Sequence, residues 1–138
     1  MNLSDTGGDA DNYGDLSRLT HLQSLNISHN RLTTLEALHL QKLRNLRRLN
    51  ISHNQLENVD FGEMAQDRLQ VLNLSFNRLG HLTFAPLPHL NTLFLHRNYN
   101  VFFDKEFELQ DLRSMTFDKG TKVPDDLLKQ IGGGNSES

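Results

Sequence analysis

The chain has 138 residues, enough for one domain with a continuous core, and its net charge of −3 comes from 14 basic and 17 acidic residues. That balance sets up no general attraction to nucleic acid or to an anionic membrane. No apolar run reaches the roughly 18 residues that span a bilayer, and the absence of cysteine excludes disulfides and thiolate metal ligands. The hydrophobic fraction is only 36%, and leucine supplies about half of it while tryptophan is absent. One residue type used so heavily points to a single packing solution repeated along the chain.

In chain order, residues 1–15 (MNLSDTGGDADNYGD) lack the basic flank and apolar stretch of a secretory signal, and their Gly and Asp content predicts a flexible N-terminal segment. Leu16, Leu19 and Leu22 then read as the tail of an incomplete repeat. Four copies of one pattern follow: LQSLNISHNRL from Leu22, LRRLNISHNQL from Leu46, LQVLNLSFNRL from Leu69 and LNTLFLHRNYN from Leu90. A fifth, LRSMTFDKGTK from Leu112, keeps the apolar spacing but has Gly120 in place of Asn. The starts step by 24, 23, 21 and 22 residues.

Each position of LxxLxLxxNxL has a physical role. Leu25 and Ile27 lie two apart, so a short strand sends both into one interior, and Leu22 and Leu32 close the apolar layer on either side. The asparagines at the turn, Asn30, Asn54, Asn77 and Asn98, are expected to face inward and satisfy backbone groups of the neighbouring turn as a ladder. The return segments repeat apolar residues at Leu35, Leu40 and Leu43, then Val59, Phe61 and Met64, then Leu82, Phe84 and Leu87. Near the end, Pro124 at a first helical position with Asp125 and Asp126 behind it predicts a short helix over 124–131, a candidate cap. Residues 132–138 (GGGNSES, with Gly132 at the start) read as a disordered tail.

With these copies in view, the chain resembles the leucine-rich-repeat family, in its typical subclass of about 24 residues per repeat. The resemblance covers about residues 16 to 120 and implies an α/β solenoid of horseshoe form. A parallel β-sheet would line the concave face, with irregular or short helical arcs on the convex side, over a domain spanning 16–131. The family's cysteine-rich caps are absent, and Asn100 stands where a leucine is expected after Asn98, so the array should deform or end near residues 98–122. Val101, Phe102 and Phe103 there read as either a cap core or a sticky edge.

Residues alternating with the buried strand positions should point onto the concave face. The first column is Ser24, Arg48, Val71, Thr92 and Ser114; the second is Asn26, Asn50, Asn73, Phe94 and Thr116; the third is Ser28, Ser52, Ser75, His96 and Asp118. Just beyond the strand come His29, His53, Phe76, Arg97 and Lys119. In members of the resembling family such columns carry the partner. Aromatic and Arg side chains anchor protein interfaces, so Arg48, Asn50, Asn73, Phe76, Phe94, His96 and Arg97 are the expected contact residues. The alternative for Phe76 and Phe94 is that they tuck against the next turn or the C-terminal cap.

Other chemistry is weakly represented. His29 and His53 fall in equivalent slots about one strand spacing, or 5 Å, apart, yet no carboxylate or cysteine repeats beside them, so no metal site is expected. Lys42, Arg44, Arg47 and Arg48 cluster without interleaved aromatics and read as a solvated face beside Glu36 or Glu57, not a nucleic-acid site. Four N-x-S sequons, at Asn2, Asn26, Asn50 and Asn73, match the glycosylation pattern, but three arise from the repeat itself. No nucleophile elbow, Gly-rich phosphate loop or enclosed acid–base pair is present, so neither enzyme activity, cofactor nor small-molecule substrate is expected.

These readings converge on a protein-binding module, an adaptor or regulatory subunit, with no nucleic acid and no membrane insertion. A fragment of an extracellular receptor-like or innate-immune recognition protein is the alternative. The compartment is intracellular by default, from the missing signal and cysteines, and extracellular if the chain belongs to a longer one.

Overall fold

The structure is a computed structural model, which describes residues 1–7, 16–60, 68–83, 87–98, 101–103, 109–132 and 135–137. Its strands are β1 (Ser24–Asn26), β2 (Arg48–Asn50), β3 (Asn58–Asp60), β4 (Val71–Asn73), β5 (His81–Thr83), β6 (Thr92–Phe94), β7 (Phe102–Phe103), β8 (Ser114–Asp118) and β9 (Asn135–Glu137). Two parallel sheets result. The larger has the order β1-β2-β4-β6-β8-β9, and the smaller has β3-β5-β7. Successive turns of the chain thus lie on one another as a solenoid, with Leu25, Leu49, Leu72, Leu93 and Met115 in register.

The core follows from that register. Leu25, Leu49, Leu72, Leu93 and Met115 are buried, as are Ile27, Ile51, Leu74, Leu95 and Phe117 two residues on. The flanking Leu32, Leu46, Leu56, Leu69, Leu79, Leu90 and Leu112 are wholly buried. Each leucine removed from water stabilises the fold by roughly 1.5–3 kcal/mol, and no single repeat could bury both sides of its own layer.

The return segments, expected as irregular or short helical arcs, hold both short helix and strand in their described parts. Among the described residues only the first contains helix, as two 3-10 turns at Glu36–Leu38 and Leu40–Lys42 separated by His39 in a left-handed conformation. It buries Leu38, Leu40 and Leu43, while Leu35 is half-buried. The next three arcs include β3, β5 and β7. Repeats of 21–23 residues leave a shorter return path than the first repeat of 24, and a strand covers about 3.3 Å per residue against about 2 Å for a 3-10 turn. Leu87 is buried as expected; Phe61, Met64 and Phe84 lie outside the described residues.

Both ends of the large sheet carry more order than composition predicts. Residues 1–7, read from composition as part of a flexible segment, run beside β1. The Leu3 N–H donates to Asn26 O at 2.7 Å, the Asp5 N–H to Ser28 O at 3.1 Å, and Asn2 bridges Asn26 in parallel. At the other end β9, from the stretch read as a tail, pairs with β8. Between them lies helix α1 (Asp125–Gln130), which turns Leu127 into the core. Pro124 occupies the cap position one residue before the helix, not the first helical position. Gln130 Nε2 donates to the Leu109 and Leu112 carbonyls at 2.5 and 3.0 Å, tying the helix to the last repeat. Val101 and Phe103 are buried, whereas Phe102 is 61% exposed.

Candidate recognition face

The turns after β1, β2, β4 and β6 are built in the same way. The residue before the ladder asparagine adopts a left-handed backbone: His29, His53, Phe76 and Arg97 all have φ between 54° and 60°. For a non-glycine residue this costs roughly 1–2 kcal/mol. The conformation keeps the backbone ladder running past the strand, with the His29, His53 and Phe76 N–H groups donating to Ser52, Ser75 and His96 carbonyls, each at 3.0 Å. It also directs the next side chain inward. Asn54 Nδ2 donates to Ile27, Ile51 and Ser52 carbonyls at 3.0–3.2 Å, and its Oδ1 accepts the Leu32 N–H at 3.0 Å. Asn77 repeats the arrangement, taking the Leu56 N–H and bridging Ile51, Leu74 and Ser75. A buried backbone group left unpaired costs about 1–3 kcal/mol, so four satisfied groups per asparagine outweigh the strain of one left-handed residue.

The N-terminal residues are a further copy of this turn. Asp5 has the left-handed backbone, and Thr6 meets Asn30 Oδ1 through both its N–H and its hydroxyl at 3.1 Å. Asn30 Nδ2 in turn donates to Leu3 O at 3.0 Å. The signal was present as MNLSDT set against LNISHN, and the shared N-x-S belonged to the repeat. At the opposite end, where Gly120 stands in the ladder slot, the Asp118 carboxylate takes over. Its Oδ1 accepts the Arg97 N–H at 2.8 Å and its Oδ2 the Asn98 N–H at 3.2 Å. Asn98 still reaches back to the Leu79 N–H and the Leu74 carbonyl, each at 3.0 Å.

The third expected surface column is corrected by the structure at its three serines. Ser28, Ser52 and Ser75 are buried. Each donates its hydroxyl and its N–H to Oδ1 of the asparagine two residues earlier, Asn26, Asn50 or Asn73, at 2.6–3.0 Å. The side-chain bond holds the serine in the turn, which alternation alone does not foresee. The N-x-S pattern is thereby explained by folding. Asn50 and Asn73 remain half-buried at the sheet surface with their acceptor oxygens already used.

Past the strands the side chains make an aromatic column. The His29 and His53 rings stack at 4.0 Å between centroids and 13° between planes, and His53 and Phe76 at 4.1 Å and 12°. His96 meets Phe76 edge-on at 5.4 Å and Phe94 edge-on at 6.4 Å. Its Nδ1 also lies 2.6 Å from the Thr116 hydroxyl. Phe76 is 40% exposed and Phe94 is half-buried, so each is packed on one side and open on another. Burial, with repulsion from His29 and His96, lowers the His53 pKa below its usual 6.5. Parallel stacked imidazoles do not converge on one point, and among the described residues no three His, Asp or Glu groups come together as a metal site.

Arg48 and Arg97 are both exposed, Arg48 on the strand face by alternation with buried Leu49 and Arg97 on the rung after Phe76. The cluster of Lys42, Arg44, Arg47 and Arg48 makes no ion pair with Glu36 or Glu57 among the described residues, where the sole ion pair is His89–Asp111 at 3.7 Å. Nor is any helix among them long and apolar enough to cross a membrane.

A stacked parallel sheet, an inward asparagine ladder and a repeated outward surface define a repeat solenoid with one regular face. Two family models match it: leucine-rich repeats in two copies over residues 20–62, and a single leucine-rich repeat over residues 68–90. Residues 20–62 and 68–90 thus carry leucine-rich repeats, which commonly serve as protein-interaction modules. No curated protein matches the chain.

Proposed function

We propose that this chain is a protein-recognition module, an adaptor or regulatory subunit and not an enzyme, that docks its partner on the face of the large sheet. That face is read as the concave side of a horseshoe. The observation that carries the reading is the aromatic column: Phe76, 40% exposed, sits between His53 and His96 with Phe94 beside them. An exposed aromatic flanked by arginine, held by stacking on a sheet, loses little freedom when a partner closes over it. Arg48, Phe76, Phe94, His96 and Arg97 are the proposed anchors. Asn50 and Asn73 contribute through Nδ2 alone, because their oxygens belong to the turn.

The test is paired capture of partners by the wild-type chain and by a variant with Arg48, Phe76, Phe94 and Arg97 all changed to Ala. The variant should keep its fold by circular dichroism, since none of the four is fully buried, and lose the partner. Equal retention by a folded variant would move the interface to the return segments or the termini.

A further inference from the structure

Along its asparagine column, the face offers amide donors whose companion oxygens are already used. Asn26, Asn50 and Asn73 each have Oδ1 filled by a serine hydroxyl and N–H at 2.6–3.0 Å. The amide orientation follows from chemistry, because a backbone N–H must meet an oxygen and not an NH2 group. Their Nδ2 groups, on adjacent rungs, have no partner among the described residues. The neighbouring cations are in the same condition. The exposed side chains of Arg48, Arg78, Arg97 and Lys119 have no hydrogen-bond or ion-pair partner among the described residues.

Charge is segregated as well. Although the chain holds 17 acidic residues, segments 22–32, 46–56, 69–79 and 90–98 contain no Asp or Glu. The flanking turns add Asp5 beyond His29 and Asp118, whose two oxygens are occupied by Arg97 and Asn98 N–H groups. A chain of net charge −3 therefore presents a cationic, donor-lined strand-and-turn face, with its acids on the return segments and ends.

We propose that this face takes an extended acidic segment of a protein partner. Asp or Glu side chains of the segment meet Arg48 and Arg97, its backbone carbonyls meet the asparagine donor row, and an apolar side chain lies against Phe76 and Phe94. The inference rests on the reading of this face as the recognition surface and adds the chemistry of what it recognises. Two observations favour a peptide over single-stranded nucleic acid. The rings of His29, His53 and Phe76 spend their flat faces on one another, at 4.0 and 4.1 Å, whereas nucleic acid needs open faces for stacking bases. The acids elsewhere on the chain also oppose a long polyanion, while a short carboxylate segment can lie within the cationic strip.

The experiment is selection of a displayed random peptide library against the immobilised full chain, in parallel with an Arg48→Glu, Arg97→Glu variant and a Phe76→Ser, Phe94→Ser variant. Selected peptides and oligothymidylate are then titrated against each protein, with circular dichroism confirming the fold. The proposal expects enrichment of Asp and Glu, weaker binding at higher salt, and roughly tenfold loss on arginine reversal. Neutral or basic peptides that depend on Phe76 and Phe94 but tolerate arginine reversal would overturn the acidic partner while keeping the recognition face. Tighter binding of oligothymidylate than of any peptide would overturn it in favour of nucleic acid. No enrichment at all, or enrichment insensitive to both folded variants, would overturn both the acidic partner and the face.

Discussion

Individual residues in this chain carry unequal shares of the fold. Asn54 meets four buried backbone groups, of Ile27, Ile51, Ser52 and Leu32, so Asn54→Ala should destabilise by about 2–4 kcal/mol in urea denaturation. Asn98, half-buried near the end of the array, should cost less when changed to Ala. His53 supplies a pH dependence whose sign is fixed. Its folded pKa lies below the usual 6.5, so the unfolded chain takes up its proton first as pH falls. The stability tied to neutral His53 is complete above that value and declines as pH drops through the folded pKa. His53→Phe, which keeps the stack on Phe76, should therefore flatten the fall in melting temperature on acidification below pH 6.5. An unchanged profile would show that His53 does not contribute to it. The ladder asparagines were legible from sequence because their spacing repeats. The burial of Ser28, Ser52 and Ser75 was not, since alternation assigns a direction and cannot foresee a side-chain bond that folds the serine back.

Among the elements, the large sheet was legible and the second sheet was not. Alternation within LxxLxL fixes β1, β2, β4 and β6 to a few residues, while the return runs of irregular apolar spacing gave no period from which β3, β5 and β7 could be read. Composition also misdirected at the edge, where a Gly and Asp run concealed MNLSDT as a further turn. That turn shields the β1 edge, which would otherwise present unpaired backbone groups. Deleting residues 1–7 should cost about 2 kcal/mol by losing the Leu3 and Thr6 bonds to β1 and Asn30, and should raise self-association seen by light scattering. At the far edge, Asp118→Ala frees the Arg97 and Asn98 N–H groups and should destabilise by about 1–3 kcal/mol, with Asp118→Asn intermediate. Equal stability of Asp118→Ala and wild type would mean that water replaces the carboxylate without loss.

For the whole molecule, the side chains divide into two sets. Leucines, ladder asparagines and serines face inward and set the geometry, which leaves Arg48, Phe76, Phe94, His96 and Arg97 free of any part in the wholly buried core. Columns in the sequence grouped the second set by alternation, but they did not show that the histidines stack or that the asparagine oxygens are consumed. Both depend on the depth and hand of the turn, which spacing alone does not encode. The most direct measurement of where a partner docks is NMR titration of the 15.8 kDa chain with a captured partner segment, following backbone amides and asparagine side-chain NH2 resonances. The account predicts shifts at the NH2 groups of Asn50 and Asn73 and at Phe76, Phe94, His96 and Arg97. Shifts confined to the return segments, to β3, β5 and β7, or to α1 would contradict it.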